Sequence, residues 1–153
     1  MRITDVIVHI LQSNLDQPFA FSQGWVKVRS STIVEIQTDE GLVGWGEAFA
    51  QGLESPQIAG SAIEHSLKPL ILDSNPTDVE VLWHKMYNHT RDFGRKGSIM
   101  SAISAIDIAL WDIAGKFFEV PISQLLGGRF RNQVQPYATG FYRLNGKNEE
   151  GRL

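Results

Sequence analysis

The chain has no cysteine, which excludes a disulfide framework and a thiolate metal site, and the residues whose types and spacing could do chemistry are its histidines and its carboxylates with neighbouring cations. The histidines are His9, His65, His84 and His89. None stands in an H-E-x-x-H arrangement or at an i, i+4 spacing that would aim two imidazoles at one metal, so they fit structural positions better than ligand positions. Asp107 and Asp112 fall on one helical stretch, five residues apart. At 100° per residue they diverge by about 140° and cannot form a paired-carboxylate site by themselves. Asp112 and Lys116 have the i, i+4 spacing of a helical ion pair. In Gly94-Arg95-Lys96-Gly97-Ser98, two cations precede a helix start, where free amides and the helix dipole favour an anion. A solvated loop neutralising nearby acids accounts for the same residues. Gly41-Leu42-Val43-Gly44-Trp45-Gly46 has the reverse of G-x-G-x-x-G spacing and no helix directly after it, which fits strand glycines in a hairpin. No nucleophile elbow, phosphate loop or zinc framework occurs, and no residue is assigned a catalytic role.

The elements that would position these residues fall into two runs. Ile3 to Leu11 alternates through Val6, Val8 and Ile10, as a strand does. Gln12 to Ser31 breaks that pattern with polar residues, Pro and Gly, yet it carries Phe19, Phe21, Trp25 and Val26; it is expected to be a long, aromatic-bearing loop of the lid or binding type. Thr32 to Thr38 alternates again, Asp39-Glu40-Gly41 makes a hairpin turn, and Leu42 to Ala48 returns. A second loop covers Phe49 to Glu54.

The period then changes to about 3.6. Ser55-Pro56 opens a first helix with the stripe Ile58, Ala62, Ile63, Leu67, Leu70 and Ile71. Thr77-Asp78-Val79-Glu80 has capping-box spacing ahead of Val79, Leu82, Trp83, Met86 and Tyr87. A third helix follows Gly97-Ser98 with Ile99, Ile103, Ile106, Leu110, Ile113 and Phe117, flanked by alanines that let neighbouring backbones approach. Glu119-Val120-Pro121 ends it, Ser123 to Leu126 forms a short turn, and Gly127-Gly128 stops that turn. Val134 to Thr139 reads as a new strand, and Asn145 to Leu153 as a polar, fraying tail. Strands followed by helices give an α+β unit, with helices on one face of an antiparallel sheet.

At 153 residues and a net charge of -3, the chain fits one ordinary folded domain. Its 14 basic and 17 acidic residues are interspersed without the basic stripe of a nucleic-acid binder. Asp5 stands where a signal peptide would begin its apolar core, and the expectation is a cytoplasmic chain that does not contact membranes.

Two segments carry a family resemblance. The stretch from Ala102 through Asp107, Trp111, Asp112 and Lys116, continued by Pro121 to Gly128, resembles the signature of the mandelate racemase and muconate lactonizing enzyme family of the enolase superfamily. Asp39 to Glu47 is similar to that family's hairpin. The resemblance implies an enolase-like N-terminal capping domain over residues 1–128, a three-stranded meander followed by a helical bundle. Residues 129–153 would begin a truncated (β/α)8 barrel, since only one strand fits into 25 residues when a whole barrel takes about 250.

The implied chemistry is removal of a proton beside the carboxylate of an acid sugar or related substrate, with Mg2+ as cofactor of the full-length enzyme. Base and metal ligands would lie on barrel strands beyond this chain, so it is expected to bind no metal and to be inactive alone. The resemblance also implies that the loops Gln12 to Ser31 and Glu47 to Ser55 close over the barrel mouth. Phe19, Phe21 and Trp25 are the candidate substrate-binding walls, and Thr139, near the end of the first barrel strand, is a fourth. The approach Gly94 to Gly97 is more similar to sugar-acid dehydratases than to muconate cycloisomerases. A racemase or cycloisomerase of the same family, and a free-standing cap that binds a partner through Ile103, Ile106, Leu110 and Phe117, are the alternatives. The full-length enzyme is expected to be a homo-oligomer.

Overall fold

The computed structural model of the chain describes residues 1–50 and 52–144, and the expected polar tail lies outside them. The sheet contains β1 (Ile3–Phe21), β2 (Gly24–Thr38), β3 (Val43–Ala48) and a short β4 (Arg143–Leu144), in the spatial order β3-β2-β1-β4. All pairings are antiparallel. The helices are α1 (Pro56–Ala62), α2 (Lys68–Ile71), α3 (Val79–Thr90), α4 (Ser98–Phe117) and α5 (Ile122–Leu125). The expected α+β layering is therefore present.

One sheet face and the helices share a single core. Val6 of β1, Val34 and Ile36 of β2, Ile63, Leu67 and Ile71 of the first helical run, Leu82 and Met86 of α3, and Ile103, Ile106, Leu110 and Ile113 of α4 are all buried. Between α1 and α2, Ile63–Leu67 winds as a π-helix, with the Lys68 amide donating to the Ile63 carbonyl. Pro69 is the cause: it has no N–H to give and its ring crowds the carbonyl four residues back, so the turn widens.

How α4 meets the sheet is decided by glycine. A Cβ on Gly44 would stand 2.2 Å from the Ala109 carbonyl oxygen, and one on Gly46 would stand 1.9 Å from that of Ala105. Only hydrogen at both strand positions, opposite alanines on the helix, lets the two backbones come this close. Because β3 is an edge strand, its outward backbone groups lack a strand partner. Asp112 and Lys116 supply partners: the Trp45 amide donates to Asp112 Oδ2 at 2.9 Å, Lys116 Nζ donates to the Val43 carbonyl at 2.7 Å, and the two side chains pair at 2.7 Å. At its far end α4 closes with Val120 N–H donating to Gly115 and Glu119 N–H donating to Lys116, while Glu119 takes the left-handed φ of 56°. That is a Schellman closure with Glu where glycine is preferred.

Three expectations are corrected. Gln12 to Ser31 is no loop: β1 and β2 continue as a two-stranded ribbon, pairing Gln12 with Ser30, Ser13 with Arg29 and Asn14 with Val28, then Phe19 with Val26, Ala20 with Trp25 and Phe21 with Gly24 beyond an irregularity. Most of this ribbon is solvated on both faces, which removes the alternation that marks a half-buried strand. The Thr77–Glu80 capping box does not form. Asn75 Oδ1 accepts from both the hydroxyl and the amide of Thr77, at 2.9 and 3.2 Å, and the N-cap position falls to Asp78. Val134 to Thr139 is not a strand, because no neighbouring strand lies beside it among the described residues. The returning chain joins the sheet later, at Arg143–Leu144.

The 20-residue α4 is also long and apolar enough to cross a membrane by length and composition, its most apolar 18-residue stretch having a mean hydropathy of 1.4. Here its apolar seam is the protein core. Ile103, Ile106 and Leu110 are fully buried, so of the four residues expected to form the surface of a free-standing cap only Phe117 is exposed.

Candidate functional site

The ribbon tip, the loop after β3 and the returning chain converge on one cleft. It is lined by Phe19, Phe21, Arg29, Phe49, Ala50 and Tyr142, with a volume of about 290 Å³. The ribbon side of the cleft is held by backbone pairing. Phe19 and Phe21 sit where β1 resumes pairing with β2, Arg29 lies opposite Ser13, and β4 adds to the free edge of β1 through the pairs Phe19–Leu144 and Ala20–Arg143. The Tyr142 ring packs on Phe19 with centroids 4.7 Å apart, and the Arg29 guanidinium carbon lies 5.0 Å from the Phe19 ring centre. The cleft is thus an aromatic box with one cation at its edge.

The sequence candidates divide. Phe19 and Phe21 meet in the cleft. Trp25 pairs with Ala20, the residue between them, and side chains alternate along a strand, so Trp25 lies on the opposite face of the ribbon. Thr139 is exposed, belongs to no strand and lines no part of the cleft. Arg29, Phe49 and Tyr142 were not singled out from sequence. Phe49 opens the second loop that the resemblance implicated, so that loop held the available signal; Arg29 and Tyr142 become visible only from their packing on Phe19.

Across Phe49 and Ala50 the surface continues into a wider, open depression of about 800 Å³ bordered by Glu47, Arg95, Lys96 and Met100. Near the start of α4, the Ser98 hydroxyl donates to Glu54. A carboxylate of the chain itself therefore already stands at this helix start, and the bond ties the loop after β3 to α4. Gly94–Ser98 behaves as a loop that meets the protein's own acid.

The titratable groups do structural work. His9 Nε2 and Glu35 Oε2 are 2.9 Å apart on the sheet face away from the helices, and Gln37 donates to the other Glu35 oxygen at 2.8 Å. Gln37 first, then His9, hold the Glu35 carboxyl below its usual range. Lys68 does the same for Asp5. Burial, reinforced by the nearby Glu80 charge, pushes Asp107 up. Among the described residues no three His, Asp or Glu side chains converge as a metal site. The Mg2+ implied by the resemblance does not fit these residues.

A two-layer α+β unit of antiparallel sheet and helices, with a cleft near the tip of a ribbon, is the class of structure these observations define. The model of the mandelate racemase / muconate lactonizing enzyme N-terminal domain matches residues 3–127. The chain belongs to that family, within the enolase superfamily. It is 40% identical over 143 residues to D-galactarolactone cycloisomerase of Agrobacterium fabrum, a match covering 94% of this chain and 36% of the relative. It is 45% identical over 117 residues to arabinonate dehydratase of Saccharolobus solfataricus, covering 76% of this chain and 30% of the relative. Among solved structures, 3,6-anhydro-D-galactonate cycloisomerase from Zobellia galactanivorans superposes with a TM-score of 0.79 at 36% identity, covering 92% of this chain and 36% of that one. The chain spans about a third of the length of the relatives it matches.

Proposed function

We propose that this chain is the substrate-capping part of a Mg2+-dependent acid-sugar dehydratase of the enolase superfamily. The observation that carries the proposal is the cleft at the ribbon tip, where Phe19, Phe21, Phe49 and Tyr142 from three separate segments face one space. A cap of this kind excludes water from a reacting acid sugar and selects its shape, while metal and base are supplied by residues outside the described ones. The family, and relatives named as dehydratases of arabinonate and D-galactonate, support the reaction class. The 94% coverage by a galactarolactone cycloisomerase and the match to an anhydrogalactonate cycloisomerase favour a second reading, ring opening or closing of an acid sugar under the same cap.

Phe19, Phe21 and the backbone-paired tip act as the wall, and Trp25 on the opposite face does not. The test is a hybrid in which residues 1–144 replace the matching part of the Agrobacterium fabrum cycloisomerase, assayed against acid sugars and their lactones. The expected result is turnover by the hybrid and none by the 153-residue chain alone. Phe21→Ala should lower kcat/KM at least tenfold, while Trp25→Ala stays within twofold. A folded hybrid that turns over nothing, or one indifferent to Phe21→Ala, would sink the proposal.

A further inference from the structure

Among the described residues, Arg29 is the one charged side chain lining a cleft that is otherwise aromatic and aliphatic. Among the described residues it forms no ion pair: the five pairs there join Met1 with Glu40, His9 with Glu35, Lys68 with Asp5, Arg91 with Asp92 and Lys116 with Asp112. An exposed guanidinium stacked over an aromatic face keeps its planar N–H edge free, and that edge matches the two oxygens of a carboxylate. Its placement is also prepared in advance. The ring beneath it, Phe19, is fixed from one side by Tyr142 and along its backbone by the pairs with Val26 and Leu144, so little ordering is left to be done on binding.

We propose that Arg29 is a carboxylate-binding residue of the cap, and that under the capping function proposed above it takes the substrate carboxylate remote from the reacting one. The substrate class is then a sugar dicarboxylate or its lactone, with a charge at both ends, in preference to an aldonate ending in a neutral hydroxymethyl group. Arg29 acts here as a specificity residue, distant from bond making and breaking.

The experiment is an NMR titration of the full 153-residue chain, following the Arg29 Nε–Hε signal and the Phe19 and Tyr142 ring signals. The probes are galactarate, galactitol as its uncharged counterpart, and acetate at equal carboxylate concentration. Galactarate is expected to shift Arg29 and both rings saturably, with galactitol and acetate at least fivefold weaker. Arg29→Gln should abolish the response and Arg29→Lys, which keeps the charge without the fork, should weaken it. Equal responses to galactarate and galactitol, equal responses to galactarate and acetate, an unmoved Arg29 signal, or undiminished binding by Arg29→Gln would each overturn the proposal. The hybrid assay fails independently: a dead hybrid with an intact titration removes the capping function and keeps the carboxylate site, whereas an active hybrid with a failed titration does the reverse.

Discussion

Replacing Gly46 with alanine tests whether the close contact of β3 with α4 organises the core. The new Cβ would lie 1.9 Å from the Ala105 carbonyl oxygen and 2.9 Å from the Ala109 nitrogen, both backbone atoms that cannot rotate away. Carbon and carbonyl oxygen normally meet no closer than about 3.3 Å, so the helix and strand must separate by roughly an ångström. A gap of about 0.5–1 Å already forfeits a quarter to a half of the dispersion energy across it. The α4 seam includes three large, fully buried aliphatics, Ile106, Leu110 and Ile113. At about 1.5–3 kcal/mol each, losing a third to a half of their burial costs about 2–4 kcal/mol. Gly41→Ala is the control. Gly41 takes a left-handed φ, 79°, which Gly46 does not, but its Cβ would meet nothing within 4 Å, so only strain of about 1 kcal/mol is expected. Urea unfolding followed by tryptophan fluorescence reads both variants. A Gly46→Ala loss no larger than that of Gly41→Ala would refute the packing argument.

Three further outcomes are expected from the same unfolding assay. Glu119→Gly should stabilise the chain by about 1 kcal/mol, since glycine carries no penalty at the left-handed position that ends α4. Asp112→Ala should destabilise it by about 1 kcal/mol, leaving the Trp45 amide and Lys116 without their acceptor at a partly exposed edge where screening keeps the loss small. Asp107→Asn should stabilise the chain at pH 7. The folded state holds the Asp107 proton more tightly than the unfolded chain does, mainly through burial and secondarily through Glu80, so the ionised carboxylate opposes folding at neutral pH. The gap between wild type and Asp107→Asn should close as pH falls to about 4, where the unfolded carboxyl is also protonated; a constant gap would contradict the assignment.

What could be read from sequence follows the physical signals each element leaves. The α4 seam was legible because a buried helix stripe repeats every 3.6 residues, and Asp112–Lys116 because the i, i+4 spacing is local. That the pair also satisfies the open edge of β3, 67 and 73 residues away, depends on a contact no local pattern records. The ribbon from Gln12 to Ser31 was hidden because strands largely solvated on both faces show no period. Thr77 was misassigned because Asn75, two residues earlier, competes for the same groups. The cleft was half visible: aromatic residues in a polar stretch drew attention to Phe19 and Phe21, but the pairing of Trp25 with Ala20 turns Trp25 away, and Arg29 and Tyr142 come to the cleft by packing on Phe19 from distant segments.

The central claim is that the ribbon tip and the loop after β3 close on an acid sugar. Hydrogen–deuterium exchange of the hybrid enzyme, with and without galactarolactone, tests it most directly. The account predicts that substrate slows exchange across residues 15–29 and 49–54 while leaving α3 unchanged. Exchange at the ribbon tip that is indifferent to bound substrate would contradict it.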